Sequence, residues 1–381
     1  MKVQQFVWNK ERWLCKKSDE TMTDPDIGFV FGNHTDHTDY TDSGAFEKIS
    51  EMFPNMVTAG CTTAGEIIDT EIHDGTIVFT AIELEHSRVE TASIIFNDTS
   101  EVYRAGKEVT LKLPKKDLSH VMVLSEGLDI NGSEVVRGIS EVLPDNVKVT
   151  GGLAGDAGEF QSTSVMLDGK WQADKIVVVG FYGDAIKVGF GCYGGWDTFG
   201  PDRLITRSSK NELFELDNKP ALELYKTYLG DYAKQLPSSG LLFPLCIATD
   251  EEGPGIVRTI LGVNEKNQSL IFAGDIPEGK YGRLMKANHH RLIEGAYEAA
   301  MESVNNGASG SPDLAFLFSC IGRRQVLKQR VEEELEAVRE VYGRDTVLSG
   351  FYSFGEIAPI LGGSRALLHN QTMCITTLSE K

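Results

Sequence analysis

Gly60-Cys61-Thr62-Thr63-Ala64-Gly65-Glu66 closes the first of three similar units in this chain, and the recurrence of that unit decides the fold. Each unit is a β-type run, a loop, a helix-type stretch, a second β-type run and a glycine turn ended by an acid. The first runs from Ile27-Gly28-Phe29-Val30-Phe31 to Val57-Thr58-Ala59. The second runs from Val121-Met122-Val123-Leu124 to Val147-Lys148-Val149 and turns through Thr150-Gly151-Gly152-Leu153-Ala154-Gly155-Asp156. The third runs from Leu314-Ala315-Phe316-Leu317-Phe318 to Thr346-Val347-Leu348 and turns through Gly350-Phe351-Tyr352-Ser353-Phe354-Gly355-Glu356. A β-α-β order predicts parallel pairing within each unit, with the turns at the carboxyl edge of the sheet, where open α/β sheets usually hold ligands.

Outward from these units, residues 156–216 read as successive β-type runs broken by turn signals such as Asp168-Gly169 and Gly183-Asp184, which predicts antiparallel strands added to the parallel ones. Asp217-Asn218-Lys219-Pro220 precedes a helical pattern and marks a boundary. A helix is expected from about Tyr281 to Val304, and another carrying Leu327, Val331, Leu335, Val338 and Tyr342 on one side. The expected fold is α/β, or α+β, with mixed β-sheets flanked by helices and containing the repeated β-α-β units. Two domains are expected, 25–216 and 217–381, after a lead-in at 1–24; one large domain is the competing reading.

A net charge of −19 over 381 residues argues against nucleic acid and anionic lipid surfaces, which need clustered Lys and Arg. No apolar run reaches the length of a membrane span, so no membrane insertion is expected. The first eight residues lack the apolar stretch of a secretory signal. Six scattered cysteines without a Cys-x-x-Cys pair read as reduced thiols. A cytoplasmic location follows as the expectation.

The candidate ligand-binding residues lie in the motif loops. Gly60 and Gly65, or Gly350 and Gly355, free backbone amides that suit an anion-binding concavity, against the structural reading that they only permit tight turns; Gly152 of the second turn joins the candidate set. Glu66, Asp156 and Glu356 follow the last glycine of each turn and suit a ligand amine, or else cap their own backbone. Arg323 and Arg324 offer guanidinium forks for a carboxylate, or brace carbonyl oxygens. Thr62, Thr63 and Tyr352 complete the set, with Cys61 and Cys320, whose thiols lack a neighbouring base. No catalytic constellation is recognisable, and no P-loop or dinucleotide fingerprint follows a strand. His34-Thr35-Asp36-His37, with Asp39 and Asp42 nearby, lacks the paired spacing of a zinc site, so no metal is expected.

Taken in order, the three turns, Gly194-Gly195-Trp196-Asp197-Thr198-Phe199-Gly200-Pro201, Ser319-Cys320-Ile321-Gly322-Arg323-Arg324 and the continuation Ile357-Ala358-Pro359 resemble the FIST family, named for F-box and intracellular signal transduction. The resemblance spans about residues 25 to 375 and implies a FIST N domain followed by a FIST C domain. It implies a bacterial stand-alone sensor of a small polar, amino-acid-like ligand; no cofactor is expected. The signalling partner would be a separate protein such as a histidine kinase, a chemoreceptor or a cyclic-dinucleotide enzyme. The sequence before the first unit is too short for an F-box, which argues against the ubiquitin-ligase adaptors of the family. Two alternatives stand beside this reading. One is the family's haem-containing branch of nitric oxide sensors that regulate a histidine kinase, although no motif assigns the haem a histidine. The weaker one is an enzyme using Cys61 or Cys320.

Overall fold

The computed structural model describes residues 1–33, 44–128, 130–248, 255–307, 311–360 and 365–381. The His34 to Asp42 cluster therefore lies outside the described residues. Mixed sheets flanked by helices bear out the α/β expectation.

The chain is built from three consecutive repeats, each larger than the unit read from sequence. The first comprises β1 (Lys2–Trp8), β2 (Trp13–Lys17), β3 (Ile27–Asn33), α1 (Ala45–Met52), β4 (Val57–Thr63), β5 (Glu66–Ile68), β6 (Glu71–His73) and β7 (Ile77–Glu83). The second comprises β8 (Arg88–Ile95), α2 (Val102–Leu111), β9 (Leu118–Ser125), α3 (Gly132–Glu141), β10 (Lys148–Leu153), β11 (Val165–Leu167), β12 (Lys170–Gln172) and β13 (Lys175–Tyr182). The third opens with β14 (Ile186–Tyr193) and is interrupted by an inserted sheet. That insert holds β15 (Asp197–Thr198), β16 (Arg203–Ser209), β17 (Glu212–Leu216), β18 (Lys219–Pro220), α4 (Ala221–Leu229), β19 (Leu245–Ile247), β20 (Ile256–Arg258), β21 (Ile260–Asn264), β22 (Ser269–Phe272) and β23 (Tyr281–Lys286). The repeat resumes with α5 (His289–Asn306), β24 (Leu314–Cys320), α6 (Ile321–Leu327), α7 (Glu332–Tyr342), β25 (Val347–Ser353), β26 (Gly355–Pro359), β27 (Ala366–His369) and β28 (Met373–Glu380).

The parallel pairs predicted by the units are present as β3 with β4, β9 with β10 and β24 with β25. Each pair is extended by a short hairpin that comes from another repeat. β5–β6 of the first joins β25 of the third, β26–β27 of the third joins β10 of the second, and β11–β12 of the second joins β4 of the first. This cyclic exchange ties the repeats together, and strands from both sides of Asp217 share sheets.

The strands are apolar on both faces because both faces are buried. Alternate residues point inward: Phe29 and Phe31, Met122 and Leu124, and Phe316 and Phe318 meet in one central core. The residues between them point outward, Val30 toward α1, Val121 and Val123 toward α2 and α3, and Ala315 and Leu317 toward α5 and α7. Phe29 lies 4.8 Å from Phe316, and Phe31 lies 4.8 Å from Phe351, centroid to centroid. Burying each such ring stabilises the fold by about 1.5–3 kcal/mol.

The lead-in residues supply β1 and β2, which pair within the first sheet. Three expectations need correction. Tyr281 begins a strand rather than a helix, because Tyr281–Lys286 pairs with β19, and the helix starts after Asn288, whose side chain caps the amides of His290 and Arg291. The helix expected over Leu327 to Tyr342 is broken at Lys328, which has φ 53°. Cys192 and Cys374 face each other across β14 and β28 and are joined in a disulfide, which overturns the expectation of six free thiols. The register that brings them together spans 182 residues of sequence, beyond the reach of local spacing.

Candidate functional site

The first glycine of each motif is not in a turn. Gly60, Gly151 and Gly350 lie inside β4, β10 and β25, and a Cβ there would stand 2.1, 2.0 and 2.0 Å from the carbonyl oxygens of Val30, Val123 and Leu317 on the parallel neighbour. These glycines let paired strands approach closely. The chain turns later, at Ala64-Gly65 in the first repeat.

The turns of the three repeats meet and use up one another's backbone groups. Gly155 and Ala157 donate to the carbonyls of Thr62 and Thr63, Ala64 donates to Tyr352, Tyr352 donates to Gly65, and Phe354 donates to Leu153. Amides bonded in this way are not available for an anion-binding concavity.

Most of the predicted residues build this junction. The Thr63 hydroxyl donates to Glu66 at 2.5 Å, and the Ser353 hydroxyl donates to Glu356 at 2.6 Å, so two acids occupy equivalent places in their repeats. Both are fully buried, and desolvation pushes both up to about 8. At neutral pH they are held as uncharged acids, which removes the basis for pairing with a ligand ammonium. Glu356 also accepts the amide and hydroxyl of Thr372. Asp156 accepts the amides of Phe160, Gln161 and Ser162 and fixes the loop that carries Phe160. The Thr62 hydroxyl accepts the Ser164 amide at 3.0 Å. Gly152 packs against Phe351, and Cys61 sits in the central core with burial pushing its thiol up.

The two arginines are braces. Arg323 is fully buried, paired with Glu334 at 2.8 Å, and donates to the carbonyls of Gly194 at 2.6 Å and Leu292 at 2.7 Å. Tyr352 donates to the same Glu334 at 2.6 Å. Arg324 donates to the Ala64 carbonyl and pairs with Asp74, and Gly65 is small enough to admit it: an added Cβ would lie 2.5 Å from its Nη1.

Cys320 alone of the predicted set lines a cavity at the carboxyl ends of repeat strands. This space of about 150 Å³ is bounded by Gly127 and Leu128 after β9, Leu153 of β10, and Cys320, Ile321 and Gly322 at the end of β24. The inserted sheet closes it with Asn211, Thr259, Leu261, Phe272 and Ala273. Phe160 and Phe354, stacked with centroids 4.7 Å apart, form another wall. The described lining residues include no charged side chain. Burial, followed by the neighbouring Glu356, drives the Cys320 thiol upward, so it is not poised as a thiolate nucleophile.

Polar groups at and behind this wall lack partners. Thr259 is 5% exposed, and its hydroxyl has no hydrogen-bond partner among the described residues. Gln371 reaches from Gly322 toward the Leu241 carbonyl, both lining groups, and its Oε1 is buried without a partner. Both amide atoms of the adjacent Asn370 likewise lack partners among the described residues. A buried polar atom without a partner costs about 1–3 kcal/mol, so such a group points to a bound molecule or water. Sequence reasoning missed Thr259, Asn370 and Gln371, since none lies in a glycine motif and their burial follows from the insert closing over the repeats.

No described histidine lines this cavity. His120 Nε2 lies 2.9 Å from the Thr150 hydroxyl, His289 Nε2 lies 3.0 Å from the Val326 carbonyl and His369 Nε2 lies 3.0 Å from the Ala358 carbonyl. No group of three or more His, Cys, Asp or Glu among the described residues is placed to hold a metal ion. No helix among the described residues is long and apolar enough to cross a membrane.

The FIST N domain matches residues 26–219 and the FIST C domain matches residues 221–359. An uncharacterized protein of Methanocaldococcus jannaschii is 24% identical over 328 residues, covering 76% of this chain. The chain spans 59% of the length of that relative. With both family domains matched in order over most of its length, this chain belongs to the FIST family.

Proposed function

We propose that this FIST chain is a sensory module of signal transduction that binds a small neutral molecule in the cavity between the repeats and the inserted sheet, and regulates a separate signalling protein through the position of that sheet. FIST domains are associated with signal-transduction sensing. The observation that carries the ligand reading is the unpartnered, buried Thr259 hydroxyl in the wall of a cavity of about 150 Å³. A dry apolar cavity of about that size accepts a molecule as large as benzene. An amino acid would bring an ammonium and a carboxylate to a wall without a counter-charge, so a neutral ligand with one or two hydrogen-bonding groups is favoured over an amino-acid-like one. A histidine kinase, a chemoreceptor or a cyclic-dinucleotide enzyme is the class of partner proposed.

Native mass spectrometry and an absorption spectrum of freshly purified protein test the reading, followed by thermal-shift screening of neutral fragments beside their charged analogues. Neutral fragments are expected to stabilise the wild type, and Thr259→Val, which keeps the shape and removes the hydroxyl, is expected to weaken them about 5- to 10-fold. A retained haem with a Soret band, or equal responses of wild type and Thr259→Val, overturns it.

A further inference from the structure

A second opening between the repeats and the insert plays no part in the site above. It is a cleft of about 600 Å³ walled by α3, β20 and β27. Arg258, at the end of β20, lines it and is 5% exposed. Its Nε donates to the Asp275 carbonyl at 3.2 Å and its Nη1 to the Leu368 carbonyl at 2.8 Å. Among the described residues nothing accepts from Nη2, and no carboxylate forms an ion pair with this guanidinium. Burial lowers its pKa only to about 10, so it remains charged at neutral pH.

The described acids that line the cleft form no ion pair with Arg258, although the charge of the nearby Asp275 opposes the lowering of its pKa. Glu134 pairs with Arg137, Glu141 pairs with Lys107, and the Asp275 carboxylate accepts Nδ2 of Asn131 at 2.9 Å. Arg365 stands exposed at the cleft without an ion pair among the described residues. On α3 the hydroxyls of Ser133 and Ser140, which also line the cleft, are buried and have no partner among the described residues. A chain of net charge −19 with 56 acidic residues has ample means to neutralise a buried arginine. Here it supplies carbonyl oxygens and leaves the charge, and two hydroxyl groups, facing a space large enough for a small-molecule ligand.

We propose that this cleft binds a small oxyanion-bearing ligand, its carboxylate or phosphate group held by Arg258, with Ser133 and Ser140 as further hydrogen-bond donors and Arg365 at the rim. A guanidinium with a free edge matches either oxyanion, and the pocket accommodates an organic body attached to it. The site is distinct from the uncharged cavity lined by Thr259, although Arg258 and Thr259 are adjacent in sequence.

The full chain, labelled with [15N]arginine, is titrated with benzoate, inorganic phosphate and benzamide while the Arg258 Nε–Hε signal, assigned by its loss in Arg258→Lys, is followed. A saturable shift is expected with benzoate or phosphate, the stronger of the two identifying a carboxylate or a phosphate site, and none with the isosteric but neutral benzamide. Arg258→Gln should weaken the anion at least about tenfold, and Ser133→Ala/Ser140→Ala about 3- to 10-fold. Should Arg258→Gln fail to fold, the serine pair and the exposed Arg365→Gln, expected to lose about 2- to 5-fold, decide the matter. No saturable shift with either anion, an equal response to benzamide, or unchanged affinity in the serine pair and Arg365→Gln overturns the proposal.

Discussion

Replacing Arg323 tests whether the most buried charge of the motif loops is a brace or a ligand contact. The guanidinium joins four segments: Glu334 of α7, the Gly194 carbonyl after β14, the Leu292 carbonyl in α5, and its own α6. Arg323→Met leaves Glu334 buried without its cation, a loss of about 3–5 kcal/mol for a broken buried pair. Two carbonyl oxygens also lose a charged donor, so the total is at least about 4 kcal/mol. The exposed pair Arg330–Glu333 supplies a control, since Arg330→Met should cost no more than about 1 kcal/mol. Urea unfolding at neutral pH reads both. In Arg323→Met/Glu334→Gln the carboxylate charge is gone while the Ser319 and Tyr352 hydroxyls keep an acceptor, so the double variant should be more stable than Arg323→Met alone. An Arg323→Met variant within about 1 kcal/mol of wild type, or strictly additive losses, refutes the brace.

Two further predictions concern the junction of the repeats. Glu66 and Glu356 have folded-state values raised from 4.5 to about 8, so the folded chain binds more protons than the unfolded one across that window. Their contribution is fully present below pH 4.5 and is lost as pH rises toward about 8, with a slope of up to about 1.4 kcal/mol per pH unit for each acid. Glu356→Gln should flatten the stability-versus-pH curve over that range, and curves that stay parallel would falsify the assignment. Gly350→Ala places a methyl carbon 2.0 Å from the Leu317 carbonyl and should cost more than about 3 kcal/mol, whereas Gly169→Ala, with nothing within 4 Å, should cost about 1–2 kcal/mol for its positive φ alone. Equal urea midpoints for the two alanine variants would show that strand contact is not the reason for the motif glycine.

The β-α-β units were legible because Phe29-Val30-Phe31, Val121-Met122-Val123 and Phe316-Leu317-Phe318 are apolar on both faces, which is what a strand packed between a helix layer and a core requires. The exchange of hairpins was not legible. β5, β11 and β26 are short, and nothing local says that Glu66-Ile67-Ile68 will pair with Ser349-Gly350-Phe351. The motif residues were read as chemical because glycines and acids recur there. Their recurrence reflects the close contact of Gly60, Gly151 and Gly350 with neighbouring carbonyls, and a junction in which Glu66 and Glu356 serve as buried hydrogen-bonded acids. Thr259 and Arg258 carried no signal, since a threonine and an arginine beside a short strand are ordinary until the insert buries them.

The cyclic plan also accounts for the position of the cavity. Where the three turns meet, backbone groups satisfy one another across repeats, leaving the junction closed by its own architecture. Open space arises where the third repeat departs from the other two, because its β14 and α5 are separated by the inserted sheet, which then covers the carboxyl ends of β9 and β24. Among the contacts that hold the insert to the repeats are Arg258 to the Leu368 carbonyl, Asn131 to Asp275, and Gln371 to the Leu241 carbonyl. Each of these three shares a residue with the wall of one of the two openings. On the proposed reading, a ligand that satisfies Thr259, or an anion that engages Arg258, would act on the seam between insert and repeats. Such a seam is where binding energy can be converted into a change of surface that a separate protein reads.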